Sequence, residues 1–89
     1  MIEREVTLIN ALGLHARAAA RLVQVASRFR ARITLTKEGR TVDAKSILGV
    51  LMLSGALGDR LLLAAHGEDE DEALAAVEAL FLSRFGEAG

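Results

Sequence analysis

The sequence predicts an α+β domain, an open two-layer sandwich in which helices cover one face of an antiparallel sheet. Three observations carry that expectation. Strand-like alternation and helix-like periodicity take turns along the chain in the order β-α-β-β-α-β-α. The chain has 89 residues, which suffices for one modest core and makes residues 1–89 a single domain. Finally, 52% of the residues are hydrophobic, yet there are three Phe and no Trp or Tyr, so Leu, Val, Ile and Ala must fill the space between the layers.

Each element has its own local justification. Residues 2–9 alternate Ile2, Arg4, Val6 and Leu8 against Glu3, Glu5, Thr7 and Ile9, the period of a half-buried strand. Gly13 breaks the run. From residue 16 to about 29, Leu22, Val23, Ala26 and Phe29 recur at spacings of three and four, with Arg17, Arg21 and Arg28 on other faces, which predicts an amphipathic helix. Residues 32–37 and 40–43 are β-prone and flank Glu38-Gly39, a two-residue hairpin loop. Ser46 then suits the N-cap of a short helix carrying Ile47, Leu48, Val50 and Leu51. That helix is apolar on nearly every side, so part of it should face a partner.

Gly55 and Gly58 precede a strand over Arg60 to His66. Five consecutive acids, Glu68 to Glu72, open the last helix, where they suit the positive end of the dipole; Asp69 and Glu72 have the spacing of a capping box. Leu74, Val77, Phe81 and Phe85 supply its buried stripe.

Composition excludes several classes of chemistry. Without cysteine there is no disulfide, thiolate metal site or thiol catalysis. The two histidines lie 51 residues apart with no metal-ligand spacing near either, so no metal and no cofactor is expected, and His66 reads as structural. The scarcity of aromatics and a formal net charge of −1 argue against nucleic-acid binding. No run is apolar enough to span a bilayer and the start does not resemble a signal peptide, which predicts a soluble cytoplasmic domain.

One stretch remains, Asn10 to Arg17, NALGLHAR. Gly13 permits close backbone approach, His15 falls at the N-cap of the first helix, and Arg17 lies in its first turn. The N–H groups of Ala16, Arg17 and Ala18 should lack intrahelical acceptors and carry the positive end of the dipole. They could receive the oxygens of a phosphoryl group on the imidazole, with Arg17 adding a charge-assisted contact. The same positive end favours a neutral, nucleophilic ring.

GLHARAAA, followed by VDAKSILGVLML and GEDEDEAL, resembles the HPr family, the histidine-containing phosphocarriers of the phosphoenolpyruvate-dependent sugar phosphotransferase system. The resemblance spans essentially the whole chain. It implies a four-stranded antiparallel sheet with three helices on one face. It also implies that His15 accepts a phosphoryl group on Nδ1 from enzyme I, assisted by Arg17, and passes it to IIA domains of sugar permeases. The protein would then be a monomeric covalent relay without turnover of its own, meeting the membrane only through its permease partners. One departure stands out: the family motif usually has proline after the arginine, and this chain has Ala18. Alanine loosens the first turn by about 0.4–1 kcal/mol but restores an N–H that can face the phosphate.

In relatives whose flank reads like KSILGV, the serine matching Ser46 is phosphorylated by an ATP-dependent kinase; the residues alone make Ser46 a helix cap. A docking patch is expected from Leu12, Arg17, Ala20, Arg21 and Gln24 together with Ile47, Leu48 and Leu51, with Leu51 divided between core and surface. Two rival readings stay open: a regulatory relative that uses Ser46 alone, against which His15 argues, and a small domain binding a metabolite or subunit, for which the chain offers little material for a polar pocket.

Overall fold

The computed structural model describes all residues from Met1 to Gly89. Four strands, β1 (Ile2–Thr7), β2 (Arg32–Lys37), β3 (Arg40–Asp43) and β4 (Arg60–His66), form one antiparallel sheet in the order β1-β4-β2-β3. Three helices, α1 (Ala16–Ala26), α2 (Ile47–Met52) and α3 (Glu70–Leu82), complete the expected order, and a 3₁₀ turn over Arg84–Gly86 follows. No helix is long and apolar enough to cross a membrane.

The period of two in the strands decides which face the helices cover. Val6, Ile33, Leu35, Leu61, Leu63 and Ala65 are buried beneath Leu22 and Ala26 of α1, Val50 of α2 and Leu74, Val77 and Phe81 of α3. On the opposite face Glu5 pairs with Leu62, and Leu62 with Thr36, and that face stays open. The hairpin between β2 and β3 turns through Glu38 and Gly39, both with positive φ (49° and 80°), the signature of a type I′ turn whose twist matches the strands.

Three expectations need correction. The first strand stops as a ladder element at Thr7, because Leu8 bonds instead to the turn before β4: its N–H donates to Asp59 O at 2.9 Å and its carbonyl accepts from Gly58 N–H at 2.7 Å. The helix expected to run to about residue 29 ends at Ala26. Beyond it the chain tightens into a turn, and the N–H groups of Arg30 and Ala31 find their acceptor in the Asp69 carboxylate at 2.9 and 2.8 Å. That same contact removes the third expectation, the capping box. Asp69 sits at the N-cap of α3 without a side-chain cap bond, since its carboxylate is turned toward the α1–β2 connection. Glu72 makes no cap bond either; the Glu70 carboxylate accepts instead from the Gly67 N–H, in the turn before the helix, at 3.0 Å.

Ser46 does cap its helix, with Oγ accepting from the Gly49 N–H at 3.1 Å. The expected apolar stripe of the last helix is buried, although Phe85 belongs to the turn after it; its ring meets that of Phe81 at 5.0 Å between centroids.

Candidate functional site at the start of the first helix

The site begins with the connection from β1 to α1. Asn10 is fully buried and clamps that connection: its Nδ2 donates to the Gly13 carbonyl at 2.8 Å, and its own carbonyl accepts from the Gly13 N–H at 3.1 Å. Gly13 adopts φ of +61° with its α-carbon pressed against the Gly55 backbone, and the Leu14 N–H donates to Gly55 O at 3.0 Å. Leu14 is buried, so the next residue is delivered to the surface at a fixed point.

That residue is His15, the N-cap of α1, in extended conformation and with no side-chain cap bond. Its carbonyl accepts the first helical bond from the Ala19 N–H at 2.9 Å, which leaves the N–H groups of Ala16, Arg17 and Ala18 without helical acceptors. The Ala18 side chain is fully buried, so the methyl group standing where proline is usual in the family motif packs into the core. Arg17 is exposed and takes part in no ion pair with the protein's own carboxylates.

The imidazole of His15 is 27% exposed and is held from one side. Nε2 contacts Oε2 of Glu87, whereas Nδ1 has no hydrogen-bond partner. The other oxygen of Glu87 accepts from Asn10 Nδ2 at 3.0 Å, which ties the end of the chain to the same clamp. Glu87 reaches the site because the tail reverses through Arg84, Phe85 and Gly86, three consecutive residues with positive φ (56°, 55° and 76°). The Phe85 ring is buried, and Arg21 of α1 donates from Nη1 to the Phe85 carbonyl. Leu12, His15, Ala16, Arg17, Glu87 and Gly89 line the shallow basin that results.

The hydrogen bond from Asn10 is the main reason the Glu87 carboxyl lies below the usual carboxylate range; burial opposes it, and the contact with His15 and the charge of Arg21 add to it. Three other carboxyls are lowered, each first by a backbone N–H: Asp59 by Ala56, Asp69 by Arg30 and Glu70 by Gly67. The linkage has one sign. These groups bind protons less readily folded than unfolded, so their contribution is fully present above the usual carboxylate range, near pH 4. It is lost as the pH falls through the lowered values. The thermal midpoint is therefore expected to hold steady from pH 7 to about 5 and to drop below about pH 4; a midpoint that rises on acidification would contradict these assignments.

Around the basin, α2 packs beside α1. Leu12 and Leu48 are each 70% exposed, with Ile47, Leu51 and Met52 also exposed. Gln24 is exposed and Ala20 half-buried on α1. Arg21, expected on the basic rim, is instead half-buried and engaged with the Phe85 carbonyl, because the returning tail supplies an acceptor beside it. Ser46 is half-buried at the start of α2. His66 is exposed at the end of β4, with Nδ1 at 4.0 Å from Glu70.

Sequence reasoning missed Asn10, Gly55, Met52 and Glu87. Asn10 followed at three residues by glycine is a turn signal that could have been read. Nothing local marks Glu87, whose partners are 72 and 77 residues away.

Known proteins resemble this chain in sequence and fold. The family model described as "PTS HPr component phosphorylation site" matches residues 2–83. The chain is 49% identical to the phosphocarrier protein HPr of Cupriavidus necator over 98% of both chains, and 46% identical to the phosphocarrier protein NPr of Shewanella violacea over 98% of this chain and 96% of that one. Its fold superposes on the crystal structure of HPr from Thermoanaerobacter tengcongensis with a TM-score of 0.97, at 43% identity and complete coverage of both chains. A phosphorylation-site family model that spans both the His15 loop and the sheet beneath it, matched by fold and by near-half identity, places this chain in the HPr family of phosphocarriers of the phosphotransferase system.

Proposed function

We propose that His15 accepts a phosphoryl group on Nδ1 from phosphorylated enzyme I and passes it to IIA domains of sugar permeases, the protein acting as a monomeric covalent relay. The observation that carries this reading is the imidazole held through Nε2 at the start of α1 with Nδ1 unpartnered. The Nδ1 lone pair attacks phosphorus as the donor's leaving atom departs with its electron pair. The phosphoryl oxygens then come to the N–H groups of Ala16, Arg17 and Ala18 and to the Arg17 guanidinium. Ala16 and Arg17 are exposed, so these donors compensate the charge only partly, which suits a group that must leave again. The exposed apolar side chains of Leu12, Ile47, Leu48 and Leu51, with Arg17, Ala20 and Gln24 beside them, form a small docking face for partners that exchange quickly.

Regulation at Ser46 belongs to the same reading. A phosphate there would place about −1.5 to −2 charges beside Ile47 and Leu48, within the docking face, and would leave α2 folded because its N-terminus favours an anion.

Intact-mass measurement tests both. With phosphoenolpyruvate and enzyme I the protein gains one phosphate, lost in mild acid and kept in base, and His15→Ala gains none; a gain undiminished in that variant would overturn the relay. With ATP and a serine kinase of this system, a second, acid-stable phosphate appears and is absent in Ser46→Ala. An unmodified Ser46 would remove the regulatory arm alone.

A further inference from the structure

We propose that Glu87, oriented by Asn10, is a positioning residue that holds His15 in the tautomer protonated on Nε2 and so keeps the lone pair on Nδ1. The proposal rests on the reading of His15 as phosphoryl acceptor and concerns how the ring is prepared for that step.

What each group can donate decides the tautomer. An ionised carboxylate only accepts, so the contact between Glu87 Oε2 and His15 Nε2 requires the proton to be on Nε2. The neutral ring has one N–H, and its other nitrogen, Nδ1, is then the acceptor and nucleophile. Glu87 in turn is fixed through its second oxygen by Asn10 Nδ2, which also donates to the Gly13 carbonyl. Both of those partners are acceptors, so the Asn10 amide can face them only with its nitrogen. Its oxygen is left buried and unpartnered. The fold retains that unsatisfied atom and a tail with two non-glycine residues at positive φ, Arg84 and Phe85, features that cost free energy and that together place Glu87 against the ring.

The Nδ1 lone pair forms the bond to phosphorus, the donor's bond to phosphorus breaks and its leaving atom keeps that pair. The proton already on Nε2 stays there. The ring becomes an imidazolium whose positive charge faces the Glu87 carboxylate, and no proton has to leave during transfer. In the reverse direction the same cationic ring is the better leaving group. Glu87 touches neither phosphorus nor donor; it acts through His15, in the manner in which a buried aspartate orients the histidine of a catalytic triad.

Two substitutions separate this role from simple packing. Glu87→Gln has one accepting and one donating end, and the Asn10 amide demands the accepting one. The glutamine amide nitrogen therefore faces Nε2 and donates to it, which drives the ring proton to Nδ1 and removes the nucleophilic lone pair. Glu87→Ala leaves the ring free to choose. With phosphoramidate as a small donor, acceptance followed by intact mass is expected to slow about fivefold in Glu87→Ala, the factor for a partly exposed ion pair. It is expected to slow at least about tenfold in Glu87→Gln, so that the closer isostere is the worse acceptor.

The second readout is the ring ¹⁵N spectrum of the unphosphorylated protein. Nε2–H should dominate in the native chain and Nδ1–H in Glu87→Gln. A native ring protonated on Nδ1, or a glutamine variant no slower than the alanine variant, would overturn the proposal. Because the tautomer is read without phosphate, such a failure is distinct from failure of the relay itself. That second failure shows as a native chain taking no phosphate from any donor, and it would remove this proposal as well.

Discussion

Gly13→Ala is expected to lower the thermal midpoint by at least about 10 °C, from a loss of about 3 kcal/mol at about 4–8 °C per kcal/mol for a domain of this size. Two physical effects add. Gly13 lies at φ of +61°, where a β-carbon costs about 1–2 kcal/mol. That β-carbon would also lie 2.3 Å from the Gly55 carbonyl oxygen and 2.9 Å from the Ala56 α-carbon. Both obstacles are backbone, and the Gly55 carbonyl is held by the Leu14 N–H, so neither can swing away as a side-chain end would. Gly39→Ala is the control. It shares a positive φ, 80°, but its β-carbon would meet nothing within 4 Å, and about 1 kcal/mol is expected. Circular dichroism melting of the two variants decides the matter. Equal midpoints would mean that the close approach to Gly55 does not hold the His15 loop in place.

Phe85→Ala is expected to cost about 3–5 kcal/mol, the usual penalty for emptying a buried phenylalanine site, and to disturb His15 as well. The ring is almost fully buried against Phe81, and it anchors the reversal that brings Glu87 to the imidazole. Phe81→Ala removes a comparable ring from α3 without releasing the tail. Urea denaturation should therefore rank the two variants together. The His15 ring resonances should separate them, moving in Phe85→Ala and staying near native in the folded fraction of Phe81→Ala. Phe85→Leu keeps an apolar anchor and serves if the alanine variant is too unstable. Unmoved His15 resonances in a folded Phe85 variant would show that the tail is not held by this ring.

Both predictions concern residues the sequence singles out, Gly13 and Phe85, but whose role in placing and holding His15 it does not show, and the reason is separation along the chain. The strands at 32–37, 40–43 and 60–66 could be read to the residue, since alternation and a Glu-Gly loop are properties of neighbours. His15 and Ser46 could be placed at helix starts for the same reason. By contrast, α1 stops at Ala26, and the N–H groups beyond its end are taken by an aspartate 38 and 39 residues further on. The capping-box spacing of Asp69 and Glu72 is real as a pattern and unused in the fold. A carboxylate offered two backbone donors from another layer satisfies more of the structure there than at its own helix end.

The candidate site divides in the same way. By itself the sequence placed the candidate acceptor and the groups proposed to assist it, because Gly13, His15, Arg17 and the free N–H groups are brought together within a few residues by the start of one helix. Tertiary structure alone decided how the histidine is held. Folding brings Asn10 from the first connection and Glu87 from the tail to the same ring, and turns Arg21 away from the surface to secure that tail. Hydrogen bonds and packing act on distance in space, whereas propensity and periodicity act on distance along the chain. The orientation of His15 depends on the first, and its place at the start of a helix depends on the second.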